Sequence, residues 1–119
     1  MRLGVTMAQG TQSVTIAAGA SLSGAIEIGE RATALMLVMP DQWTAAGLTV
    51  QTSPDGVTYQ NLYDRNGTEV AIVTAASRNV ALDTWTFGGA RYIKLRSGTA
   101  GTPVNQAGAR SIQVVCRPV

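Results

Sequence analysis

The sequence predicts an all-β fold, a two-sheet antiparallel β-sandwich of about eight to ten short strands. Three observations predict it. Apolar and polar residues alternate with a period of two in many short runs, as half-buried strands require. Turn residues punctuate those runs every ~8–12 residues, the spacing of sandwiches and barrels. No stretch carries a convincing amphipathic-helix pattern: the best, Ala71 to Ala76, is short and interrupted by β-branched residues.

Residues Met1 to Gly10 show no clear pattern and read as an N-terminal arm, leaving 11–119 as a single domain. Thr11 to Ala17 alternates, with Val14 and Ile16 on one face, and Ala18-Gly19-Ala20 turns the chain. Leu22 to Ile28 follows, with Leu22, Ile26 and Ile28 inward and Glu27 outward, before a turn at Gly29-Glu30-Arg31. Ala34 to Met39 is apolar on both faces, so it is either an inner core strand or part of a subunit interface. Pro40 ends it, because proline cannot donate to a ladder, and Asp41 to Thr44 is a loop carrying Trp43.

Leu48 to Tyr63 is the clearest stretch and reads as strand, tight turn, strand. Leu48, Val50 and Thr52 point one way and Thr49, Gln51 and Ser53 the other. Ser53-Pro54-Asp55-Gly56 breaks the run, with proline pre-setting one turn angle and Gly56 free to take positive φ. Val57, Tyr59, Asn61 and Tyr63 are expected to resume the alternation. Asn66-Gly67 is a second strong turn signal. Thr68 to Thr74 then reads as a strand with Val70 and Ile72 on one face, and Arg78 to Leu82 as another with Val80 and Leu82 inward. Asp83 to Gly89 is aromatic and then glycine-rich. Arg91 to Arg96 alternates sharply, Ile93 and Leu95 against Tyr92, Lys94 and Arg96. Ser97 to Ala109 is a long Gly/Thr/Pro loop, and Ser111 to Arg117 closes the domain with Ile112, Val114 and Cys116 inward. The expected topology is a jelly roll.

Composition narrows the function. The net charge is +2, and the nine basic residues are scattered, so no nucleic-acid arm is expected. No run approaches the ~20 apolar residues of a membrane span, and Met1-Arg2-Leu3-Gly4 lacks the long apolar core of a signal peptide. The expectation is a soluble protein made in the cytoplasm. The single cysteine, Cys116, has no partner for an internal disulfide and falls on the inward side of its strand, where a thiol acts as a small hydrophobe. The chain has no histidine, which excludes Ser-His-Asp and Cys-His machinery and histidine metal sites.

The seven carboxylates offer little more. A glycosidase needs two of them facing across a cleft. Asp41, Asp55, Asp64 and Asp83 instead sit in turn contexts, where Asp accepts local backbone hydrogen bonds. Loop carboxylates and carbonyls also suit calcium, but no Asp-rich loop has EF-hand spacing. No enzyme activity, cofactor or metal is expected. Trp43, Trp85 and Phe87 lie in or beside loops, either plugging the ends of the sandwich or stacking on sugar rings. Tyr92, Lys94 and Arg96 form either a polar binding strip or an ordinary solvated face.

Two phrases carry a resemblance. Ser53-Pro54-Asp55-Gly56-Val57-Thr58-Tyr59 and, some thirty residues later, Ala90-Arg91-Tyr92-Ile93-Lys94-Leu95 resemble the discoidin-like (galactose-binding-like) jelly rolls. That family carries a Ser-x-Asp-Gly-x-x-aromatic turn and an Ala-Arg-Tyr-[Ile/Val]-[Lys/Arg]-Leu strand. The match spans roughly the central half of the chain; the chain is shorter than a typical member and lacks the terminal disulfide. The family's ligands are held by variable loops outside these phrases, so no ligand residue carries over. The same phrases, the size and the Gly/Ala/Thr-rich style are also similar to small virion proteins of tailed bacteriophages. That resemblance implies a capsid decoration (cement) or head-fibre protein on the outside of a shell, usually as an oligomer.

Two expectations follow. In the first, the domain is a virion structural protein whose partners are the major capsid protein and itself, as a homo-dimer or homo-trimer. Leu35, Met36, Leu37, Val38 and Met39 are the candidate contact residues, and the arm orders on docking. In the second, it is a carbohydrate-binding module, with Trp43, Trp85 and Tyr92 as stacking platforms and Arg96 and Asp41 as polar partners for a glycan.

Overall fold

The computed structural model describes residues 10–29 and 32–118. The N-terminal arm expected over 1–10 lies outside the described residues except for Gly10, which opens the first strand. Nine strands are described: β1 (Gly10–Ile16), β2 (Ile26–Glu27), β3 (Ala32–Val38), β4 (Leu48–Ser53), β5 (Gln60–Asn61), β6 (Ala71–Ile72), β7 (Asn79–Ala81), β8 (Tyr92–Ser97) and β9 (Arg110–Pro118). They form two antiparallel sheets. One has the order β1-β9-β3-β7, and the other β2-β8-β4-β5, with β6 also paired to β4.

That order follows from folding the chain as one long antiparallel ribbon. β1 pairs with β9, β2 with β8, β3 with β7, and β4 with β5 and β6. Two further ladders, β3 with β9 and β4 with β8, close the rolled ribbon into a jelly-roll sandwich. The turn after β4 is the tip of the ribbon. Ser53 Oγ accepts the Gly56 amide at 2.8 Å, and Gly56 takes a φ of 78°. Such an angle is cheap only for glycine.

The inward residues are largely those the alternation predicts. Val14, Ile16, Ile112, Val114 and Cys116 from one sheet meet Leu48, Val50, Ile93 and Leu95 from the other, all buried. Phe87 and Ile28 belong to the same buried cluster, and half-buried Trp43 packs against it. β3 shows how a strand can look apolar on both faces. Its register against β9 slips between Ala34 and Met36, a bulge that makes Leu35 an extra residue. Ala32 and Ala34 face the core before the bulge, and Leu37 and Met39 after it.

Two strands are shorter than expected. Val57 to Tyr63 contributes only Gln60 and Asn61, because Asp55 Oδ1 takes the amides of Val57 and Thr58 at 2.9 and 3.2 Å. A side chain that captures backbone donors competes with the ladder. The face differs too: Leu62 packs against the core, whereas Val57 and Tyr63 are exposed. Thr68 to Thr74 is reduced to Ala71–Ile72 plus a single bridge from Tyr63 to Glu69.

Candidate interaction surfaces

The two phrases behind the resemblance meet in space. Tyr92 lies opposite Ser53 in the β4–β8 ladder. Its ring covers the turn so closely that a Cβ added at Gly56 would stand 3.2 Å from ring carbons. Ser53 Oγ donates to Asp55 Oδ1 at 2.9 Å, and that same oxygen accepts the two amides named above. Those amides, then the Ser53 hydroxyl, hold the Asp55 carboxyl below its ordinary value. The motif is a turn clamp under an aromatic lid, and its polar groups are spent on one another.

On the outer face of the second sheet, where Tyr92, Lys94 and Arg96 are expected to form either a polar binding strip or an ordinary solvated face, Arg96 is not solvated. Arg96 is only 6% exposed. Its guanidinium donates to Thr49 Oγ1 at 3.0 Å, Asn61 Oδ1 at 2.9 Å and Glu69 Oε2 at 2.9 Å. Glu69 also accepts the Ala100 amide, and Thr49 donates to the Gly98 carbonyl. One cation therefore ties β4, β5, β8 and two loops together. Beside it, Lys94 sits 4.3 Å from the centre of the Tyr59 ring, a cation–π contact. Further along, Arg91 Nε meets Glu27 Oε2 at 2.9 Å on the surface.

These placements disperse the expected glycan set. Arg96 is an internal strut. The Trp43 indole donates to the Ala46 carbonyl at 3.0 Å with its ring against the core. Tyr92 is the lid of the turn. Asp41 is exposed and accepts a long bond from Ser77 Oγ at 3.4 Å. Only Trp85 offers an open ring, at 88% exposure, on a turn that sends Phe87 inward and Trp85 outward. The expected contact strand is likewise divided. Leu37 and Met39 are core residues, so Leu35, Met36 and Val38, all half-buried, are what β3 presents outside the core. Met36 and Val38 lie on the outer face of their sheet; Met36 is in register with Val115 and Ala81.

A further surface had no single sequence signal. β7 ends its sheet, and β6 pairs only with β4 among the described residues. The side of the sandwich between them is open as a cleft of about 290 Å³. Val70, Ile72, Val80 and Leu82 line it, together with Asp83 and Thr86. Val73, which also lines it, is 86% exposed, and exposed Trp85 directly precedes the lining residue Thr86. Exposed large apolar side chains beside unpaired strand edges mark a contact surface. A hint lies in the shortness of the alternating runs at Val70–Ile72 and Val80–Leu82, which leaves both edges under-covered.

No group of three or more His, Cys, Asp or Glu side chains among the described residues is arranged to hold a metal ion. The Cys116 thiol is buried, and burial raises its pKa, the opposite of what a reactive thiolate needs. Comparison of the chain with protein-family models, with curated proteins and with solved structures found no match.

Proposed function

We propose that this is a bacteriophage virion structural protein, a capsid decoration (cement) protein that binds and stabilises the outer surface of an assembled head. The observation that carries a binding role is the open side of the sandwich, where Val73 stands exposed beside two strand edges and exposed Trp85 directly precedes the lining residue Thr86. Apolar exposure of this kind suits contact with other polypeptide chains. The virion setting comes from the motif phrases, the chain's size and its composition. The polar groups of the best-ordered motif are consumed internally, which suits a scaffold more than a ligand site. A decoration protein needs no chemistry of its own. Weak contacts repeated over a symmetric shell add up, because linked copies rebind at high effective concentration.

The test is cosedimentation of the purified protein with heads assembled from the major capsid protein of the same genome. The expected result is saturable binding in a fixed ratio to the capsid subunit, with decorated heads surviving to higher temperature. Absence of cosedimentation at micromolar protein would overturn the proposal. A glycan screen run alongside tests the carbohydrate reading, for which no assembled platform of the five residues is seen.

A further inference from the structure

We propose that the outer face of the second sheet binds an acidic oligosaccharide along the row Lys94, Gln51 and Asn61. This goes beyond shell binding and does not depend on it.

Strand register sets the row. Gln51 of β4 lies opposite Lys94 of β8 on one side and opposite Asn61 of β5 on the other. Ile93 and Leu95 are buried in the core, so Lys94 and its two neighbours share the outer face. Neighbouring strands stand about 4.8 Å apart, so the three side chains span about 10 Å, the scale of a disaccharide. All three are half-buried. The next outward residues of β8, Tyr92 and Arg96, bound the row on either side.

Bonds already made decide what the row offers. A guanidinium can only donate, and Arg96 Nη1 donates to Asn61 Oδ1 at 2.9 Å. That turns the Asn61 oxygen toward the strut and leaves its Nδ2 donor without a partner among the described residues. Gln51 Nε2 leans on the same oxygen at 3.4 Å, which leaves Gln51 Oε1 as an acceptor. Lys94 rests 4.3 Å from the centre of the Tyr59 ring and makes no ion pair among the described residues. A π face holds an ammonium without using its N–H groups on a lone pair, so they stay available as donors. Donor, acceptor and donor thus follow one another across three paired strands.

That set selects its ligand. One cation without a counter-charge, beside two neutral amides, matches one carboxylate carried on a hydroxyl-rich ring. The carboxylate meets Lys94 Nζ. Ring hydroxyls, which both donate and accept, meet Gln51 Oε1 and Asn61 Nδ2. Nucleic acid asks for several cations acting together, and the neighbouring Arg91 and Arg96 are engaged with Glu27 and Glu69. A neutral sugar would leave the ammonium without its charge-assisted bond.

The experiment titrates the full chain, free of any shell, with sialyllactose, with a glucuronate-containing disaccharide, and with lactose as the neutral comparison. Saturable binding of an acidic sugar is expected, with lactose at least about tenfold weaker. Amide shifts in the unmutated protein should concentrate at Lys94, Gln51 and Asn61. Lys94→Met keeps the stem and removes the charge, and should weaken binding at least about tenfold. Asn61→Asp keeps an oxygen for Arg96 but replaces the outward donor with a negative group, and should abolish binding without lowering the melting temperature. No binding of either acidic sugar at millimolar concentration would overturn the proposal. So would lactose binding as well as sialyllactose, shifts confined to another face, or binding indifferent to both substitutions. Tighter binding of single-stranded DNA or of a polyglutamate peptide to the same row would overturn the sugar assignment. Cosedimentation with heads is read separately, so failure here leaves the shell reading standing, and the reverse.

Discussion

Truncating Arg96 should destabilise this domain as few polar substitutions would. In Arg96→Met the aliphatic stem keeps its packing, but three charge-assisted hydrogen bonds disappear and Glu69 is left with its charge and without its cation. The side chains are 8% and 17% exposed, so water replaces little of what is lost. Breaking a buried pair from one side costs roughly 3–5 kcal/mol. The residual access to Glu69 and its bond from the Ala100 amide put the expectation near the lower figure. For 119 residues, an unfolding entropy of about 2.1 cal/mol/K per residue gives ~0.25 kcal/mol/K, so the melting temperature should fall by about 12 °C or more. Adding Glu69→Gln removes the stranded charge and should recover about 1 kcal/mol or more. The exposed pair supplies the control: Glu27→Gln breaks its contact with Arg91 at about 40% exposure and should cost under ~1 kcal/mol. Thermal and urea unfolding of the four proteins measure this. A loss for Arg96→Met within ~0.5 kcal/mol of zero, or a double variant no better than the single, would refute the internal-strut reading and return Arg96 to the surface.

Three further predictions rest on the same geometry. Gly98→Ala should cost about 3 kcal/mol or more in urea unfolding, because the residue has a φ of 88° and the new Cβ would meet the Thr102 carbonyl at 2.5 Å and the Val104 amide at 2.7 Å. Leu37→Ala should destabilise by roughly 2–5 kcal/mol, whereas half-buried Met36→Ala should cost clearly less; equal losses would contradict the bulge in β3. The Asp55 carboxyl is held below its ordinary value of 3.8, so its contribution is present above that pH and is lost as pH falls through the folded-state value. Asp55→Asn should therefore flatten the acid limb of the melting-temperature profile while leaving a nearly constant offset at neutral pH.

The alternation in Leu48–Ser53, Tyr92–Ser97 and Arg110–Pro118 was enough to orient most of the core, because each of these strands has one face on the sandwich interior. β3 was legible as buried but not as to which residues, since its face assignment depends on a one-residue bulge fixed by the register with β9. The alternation puts Arg96 on the outward face of β8 but does not show that this face is covered there. Its partner Glu69 is 27 residues away and reaches it only because the segment after Tyr63 folds back over the sheet. Gln106 was hidden in the same way: it reads as a polar loop residue, yet it is fully buried, bonding Thr44 and Ser97 to pin the long loop. The open cleft is a property of two strands from different sheets. No local pattern in either strand announces it.

The ribbon has a kinetic consequence. At its tip, Thr52 and Gln60 come together across about eight residues, while Ile16 and Arg110 must meet across roughly 90. Closing the larger loop from an unfolded chain is disfavoured, but it becomes cheap once the inner pairs have formed. The domain is thus expected to zip from the tip outward, slowly, as sheets made of non-local pairs do. Loosening the tip, as with Gly56→Ala, should chiefly slow refolding. Loosening the β1–β9 ladder should leave refolding nearly unchanged and hasten unfolding. The strands that join last would then be the first to part, and they are the first and the last of the described strands.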